Sequence, residues 1–164
     1  MPPFKHIDAA TMEKEFLAAA KKAGVTILSK SHASAFTEVG SVENMVIAGQ
    51  NIDGKDLPNG MDIALVRFTL PKKSLNGGKP LALVGGFYIV NIKTDGKITK
   101  GTASLRTLDG KPSVTLPVII EPQKRVSSGP ARSALGPSAH SNECSAQVNW
   151  TFKKFTLRIK IDWF

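Results

Sequence analysis

The sequence predicts an all-β domain: a two-sheet antiparallel β-sandwich of about seven to nine strands with one N-terminal α-helix packed against it. A β-barrel is the second architecture. Three observations predict this class. Two Asp-Gly pairs, Asp95-Gly96 and Asp109-Gly110, punctuate the apolar stretch from Leu81 to Ile120. Asp-Gly between apolar runs signals a hairpin, because a type I′ turn needs positive φ at both central residues. The end of the chain alternates Phe155, Leu157, Ile159, Ile161 and Trp163 with Lys154, Thr156, Arg158, Lys160 and Asp162, the period of a half-buried strand. Runs of strand length also recur between Gly- and Pro-rich turns.

The helix is predicted over Asp8 to Ala23. Asp8 can cap its N-terminus, Glu13 and Glu15 lie early and Lys21 and Lys22 late, and Gly24 follows. These charges complement the helix dipole, and glycine suits the position after the last turn. Met12, Phe16, Ala19, Ala20 and Ala23 form one apolar stripe, suited to a sheet.

Val25 to Ser29 is a short β-prone run, and Lys30 to Gly40 is small and polar with His32 inside it. Val42 to Ala48 reads as a strand. Gly49 to Gly60 is a turn cluster that nearly matches a phosphate-binding loop. Asp56 stands where that loop needs Ser or Thr, and Leu57-Pro58 follow where a helix should start. Its Asx residues lack the glutamate that closes an EF-hand loop. Met61 to Leu70 reads as a buried strand and Pro71 to Pro80 as a loop.

Residues 81–120 read as a three-stranded meander. With two-residue turns, Ile92 faces Thr99, Val90 faces Gly101 and Tyr88 faces Ala103; in the second hairpin Leu105 faces Val114, Ala103 faces Leu116 and Gly101 faces Val118. One face then carries Tyr88, Val90, Ile92, Ala103, Leu105, Val114 and Leu116. The other is polar, with Phe87, Ile89 and Ile98 as exceptions. A slip by one residue would invert both sets. Pro117 falls at a hydrogen-bonded position and has no N–H to donate. Pairing is therefore expected to stop near Leu116, the third strand to be an edge, and Val118 to Ile120 to cross to another sheet.

Residues 121–145 change character: Ser, Pro, Gly and Ala dominate, and no strand or helix period is visible. The segment reads as a long loop, of a length that is usually functional or disordered. His140 and Cys144 lie four apart with Glu143 between, too few ligands for a zinc site without a fourth from elsewhere. In 146–164 the alternation slips phase at Lys153-Lys154, which reads as a bulge in one long strand rather than a turn. Asn149-Trp150-Thr151 matches a glycosylation acceptor but lies in a strand.

The 164 residues fit a single domain, 1–164, and 41% are hydrophobic. No apolar run is long enough to span a membrane. Met1 to Lys14 does not read as a signal peptide. The single cysteine, Cys144, excludes an intramolecular disulfide. A cytoplasmic location is the default expectation.

No catalytic signature stands out, so neither catalytic residues nor a cofactor nor a metal is assigned and no enzyme activity is expected. Two functional classes follow. The first is a non-enzymatic module for protein–protein interaction or self-assembly, a structural subunit whose partner is itself or another protein. Its contacts would come from the loop, at Ser127, Ala131 and Leu135, and from the end of the chain, at Trp163 and Phe164. The second is a binder of nucleic acid or another polyanion. A formal net charge of +9, from 22 Lys and Arg against 13 Asp and Glu, motivates it. Lys154, Arg158 and Lys160 share one face of the last strand, and Lys124 and Arg125 lie in the loop.

Overall fold

The computed structural model describes residues 9–25, 32–36, 40–46, 60–69, 74–76, 79–80, 85–94, 101–122, 136–142, 145–151 and 155–163. One helix, α1 (Ala9–Ala23), precedes eleven strands: β1 (His32–Phe36), β2 (Ser41–Val46), β3 (Met61–Thr69), β4 (Ser74–Asn76), β5 (Lys79–Pro80), β6 (Gly86–Thr94), β7 (Gly101–Thr107), β8 (Pro112–Pro122), β9 (Gly136–Asn142), β10 (Ser145–Thr151) and β11 (Phe155–Trp163). The fold is all-β with one helix. Nine strands form an antiparallel sheet in the order β1-β2-β3-β6-β7-β8-β11-β10-β9, and β4 and β5 hang from the end of β11. The sheet curls until its two ends, β1 and β9, lie side by side.

The predicted helix is present to its last residue. Gly24 follows with φ of +72°, and its N–H donates to the Lys21 carbonyl at 3.2 Å. Glycine adopts that left-handed conformation without a Cβ penalty. Asp8 lies outside the described residues, as do the predicted strand beyond Val25, most of the 49–60 turn and Ile98.

The interior of the sheet is the main core. Tyr88, Val90 and Ile92 of β6, Ala103 and Leu105 of β7 and Leu116 of β8 are buried there, with Val66, Phe68, Trp150, Phe155, Leu157 and Ile161. The predicted buried face of the meander is this interior. Its second hairpin has the predicted register away from the turn, Leu105 opposite Val114 and Ala103 opposite Leu116, but a shift between Leu105 and Arg106 puts Arg106 opposite Pro112, and the turn is longer than the predicted two residues. The first hairpin does not keep its predicted register. Ile92 pairs with Ala103 and Val90 with Leu105, four residues further along than a two-residue turn gives. Residues 95–100 lie between the strands. The offset is even, so every side chain keeps its face.

Of the three apolar exceptions on the outer face, the two among the described residues have a cause. Phe87 and Ile89 meet α1, which buries Phe16, Ala19 and Ala20 against Met45, Leu65 and Ile89. The middle strands β2, β3 and β6 are thus covered on both faces there, which is why Met61–Thr69 reads as continuously apolar.

Three strand expectations are corrected. β8 is not an edge: it pairs with β7 as far as Val118, and from Ile119 to Pro122 it pairs with β11. Pairing does not stop near Leu116 as expected: Pro117 stays in the ladder opposite Thr102, and the β7 ladder ends at Val118 because β7 begins at Gly101. The segment 121–145 is not all loop, for it contains the end of β8 and the whole of β9. The phase slip at Lys153-Lys154 is a chain reversal and not a bulge: β10 and β11 pair antiparallel, Thr151 opposite Thr156 and Trp150 opposite Leu157. Such a reversal puts even residues of one strand and odd residues of the other on the same face, which is the slip seen in the sequence. Likewise the small polar run around His32 forms β1, paired to β2.

Candidate functional site

The seam between β1 and β9 is where the sheet lacks a ladder. Among the described residues β1 pairs only with β2, and β9 only with β10. Register places Ala33 opposite Asn44 and Ala35 opposite Val42, so these alanines face the interior. On the other side Ala139 lies opposite Val148 and Ser141 opposite Ala146, again inward. The lining is therefore small and partly polar. Asn44 is fully buried. Its Oδ1 accepts a hydrogen bond from Trp150 Nε1 at 3.2 Å, tying β2 to β10 across the interior. Its Nδ2 is buried without a partner, and so is the Ser141 hydroxyl. Among the described residues, two of the three such orphaned buried atoms belong to this end of the core; the third is Arg67 Nη2. An orphaned donor costs its full desolvation.

The outer face carries two built charge clusters. In the first, Arg67 of β3 donates from Nε to Glu43 of β2 and from Nη1 to Glu15 of α1. Glu43 is only 2% exposed in its side chain. The guanidinium also lies over Phe87 at 5.2 Å and Phe16 at 5.8 Å from the ring centroids. Those rings meet edge to face at 5.2 Å. Burial pulls the Arg67 guanidinium down, but its hydrogen bonds to Glu43 and Glu15 outweigh this and raise it. The cluster is a clamp between helix and sheet, and Arg67 supplies the charge partner of its buried carboxylate.

In the second, Asp62 accepts from Arg106 Nη1 at 2.6 Å, Arg106 Nη2 at 2.5 Å and Asn91 Nδ2 at 2.9 Å. The β3–β6 register shifts between Asp62 and Ala64, a bulge that lets Asp62 point outward while Ile63 and Ala64 both stay in the core. The hydrogen bond from Arg106 holds the Asp62 carboxyl below its usual range; desolvation opposes it, and Asn91 adds to the lowering.

Of the predicted cationic residues, Arg158 and Lys160 lie among the described residues, and each has an acidic neighbour. Arg158 donates from Nε to Asn149 Oδ1 at 2.9 Å and from Nη1 to Glu121 Oε1 at 2.9 Å, so a carboxylate already faces it. Lys160 is 3.6 Å from Asp162 on the same strand face. Lys154, Lys124 and Arg125 lie outside the described residues, as do Ser127, Ala131, Leu135 and Phe164. Trp163 ends β11, with Ser74 of β4 as its backbone partner. β11 is flanked by β10 throughout and by β8 and β4 at its two ends, so little of its edge is open. Asn149 is 6% exposed and donates to Ser138 Oγ at 3.3 Å, which removes it from reach of glycosylation.

The clusters that the sequence did not give were signalled only weakly. Glu43 and Arg67 are lone charges inside apolar strands, which implies a paired buried site. Nothing local says that they pair with each other. His140 is exposed on β9, and Cys144 lies outside the described residues. Among the described residues no three His, Cys, Asp or Glu side chains gather as a metal site would need, and no helix is long and apolar enough to cross a membrane. No family model, curated protein or solved structure matches this chain.

Proposed function

We propose that this chain is a non-enzymatic module for protein–protein interaction, self-association first, and that its working surface is the β1/β9 seam. We read the nine-strand sheet as a barrel left open at that seam. The observation that carries the reading is that β1 lies beside β9 with no ladder between them among the described residues, and that β1 has no side chain of the kind that blunts an edge. Its sequence, His-Ala-Ser-Ala-Phe, holds no lysine, glutamate or proline, the residues that normally blunt an edge against pairing with another chain. The alanines and orphaned polar groups behind it make this the least tightly specified wall of the core. A strand from a second copy would supply backbone partners there. A polyanion partner has weaker support, because Arg158 already faces Glu121.

Light scattering at high salt tests the proposal. Wild type is expected to be a dimer or larger, and Ser34→Lys combined with Ser138→Lys is expected to shift it to monomer. A monomeric wild type overturns self-association. If that monomer also retains an oligonucleotide at low salt, the polyanion reading replaces it.

A further inference from the structure

Beyond the seam, an open groove of about 280 Å³ runs across the outer face of β6 and β7. Its floor is Asn91 and Ser104, which stand directly opposite each other in the ladder. Its walls are Gly60, before β3, and Gly110, in the β7–β8 turn; Lys93 and Arg106 line it from the two sides. The turn wall is fixed from within. Thr107 N–H donates to the Lys111 carbonyl at 2.9 Å, Gly110 N–H donates to the Thr107 carbonyl at 2.9 Å, and the Lys111 N–H donates to Thr107 Oγ1 at 3.2 Å. The opposite wall is held by Gly60 N–H donating to the Ile92 carbonyl at 2.8 Å.

The donors here outnumber the acceptors. Asp62 engages both Nη atoms of Arg106 and one N–H of Asn91. Its charge cancels that of Arg106 and fixes the guanidinium plane, while Arg106 Nε–H keeps no acceptor among the described residues. The Lys93 ammonium and the Ser104 hydroxyl have none there either. Lys93 therefore leaves the groove with one net positive charge, beside a guanidinium oriented in advance and a hydroxyl. The Arg106 guanidinium, already held by Asp62, loses little entropy when an anion arrives.

We infer that this groove binds a small oxyanion, the carboxylate or phosphate group of a small molecule, through Lys93, Ser104 and the free N–H of Arg106. The volume suits the head group of a small metabolite.

Amide and side-chain NMR shifts, recorded during titration with inorganic phosphate and separately with acetate at constant ionic strength, test this. The expected result is a saturable shift confined to Gly60, Asn91, Lys93, Ser104, Arg106 and Gly110 with at least one of the two anions, and the stronger one identifies the head group. Lys93→Gln should weaken that affinity about tenfold, the scale of one charge-assisted hydrogen bond. Lys21→Gln, on the helix, should leave it unchanged. Lys93 is exposed, so its variant is expected to fold, and an unaltered spectrum away from the groove verifies it. Shifts that are absent for both anions, rise linearly without saturation or spread over the surface overturn the site. So does an affinity equal in Lys93→Gln and wild type, or an equal loss in Lys21→Gln.

Discussion

The wall of the sheet under α1 and the wall at the β1/β9 seam use opposite means to hold a strand in place. Under the helix, β2, β3 and β6 are buried on both faces, and a charged clamp of Arg67, Glu43 and Glu15 crosses from sheet to helix. At the seam the lining is Ala33, Ala35, Ala139 and Ser141, and one long-range hydrogen bond, Trp150 to Asn44, spans the gap. Large apolar surface and paired charge specify one packing on the first wall. Small side chains leave the second to be specified by backbone pairing, and there the pairing stops. Burial on both faces makes a strand hard to open, and edge strands with little apolar contact open first.

The clamp should show the largest effect. Arg67→Ala leaves Glu43 buried and unpaired, and is expected to cost about 3–5 kcal/mol, measured as a lower urea midpoint. Glu15→Ala removes only the exposed partner and should cost no more than about 1 kcal/mol. If the two variants lose the same stability, the clamp is an ordinary surface pair and the contrast between the walls fails. Trp150→Phe comes next. It leaves Asn44 Oδ1 buried without a donor, at a cost of about 1–3 kcal/mol. Hydrogen exchange would locate that loss: faster exchange in β1 and β9 with β3 and β6 unchanged supports a separately opening seam, and uniform acceleration contradicts it.

The smallest effect tests the Asp62–Arg106 pair, which lies between the two regimes. The Asp62 carboxyl titrates lower in the folded chain than in the unfolded one. Its contribution is therefore complete above the unfolded value, about 3.9, and disappears as pH falls through the folded value. Asp62→Asn should be less stable than wild type at pH 7, with the difference closing below about pH 4. The side chains of Arg106 and Asp62 are 32% and 27% exposed, so the gap should stay within about 1 kcal/mol. A gap that widens in acid would show that some other group dominates.

The sequence by itself determined what depends on near neighbours. It placed α1 and its glycine stop, the all-β class and the inner face of β6 and β7. It also placed the second hairpin at Asp109-Gly110 and its register from Leu105 opposite Val114 onward, but not the shift beside the turn. Alternation has period two, so even the first hairpin, offset by four residues, kept its faces. Only the tertiary structure decided what depends on distant partners. His32–Phe36 and Gly136–Asn142 are rich in Ala, Ser, Gly and Pro and have little strand propensity of their own. They become strands because β2 and β10 offer them unpaired edges. The phase slip at Lys153-Lys154 fits a bulge or a reversal equally well until β8 is seen to occupy the other side of β11. Arg158 looks like a free cation in its own strand and meets its counter-charge, Glu121, from another. Local pattern records which way a side chain points; which chain segment meets it there is settled by closure of the whole sheet.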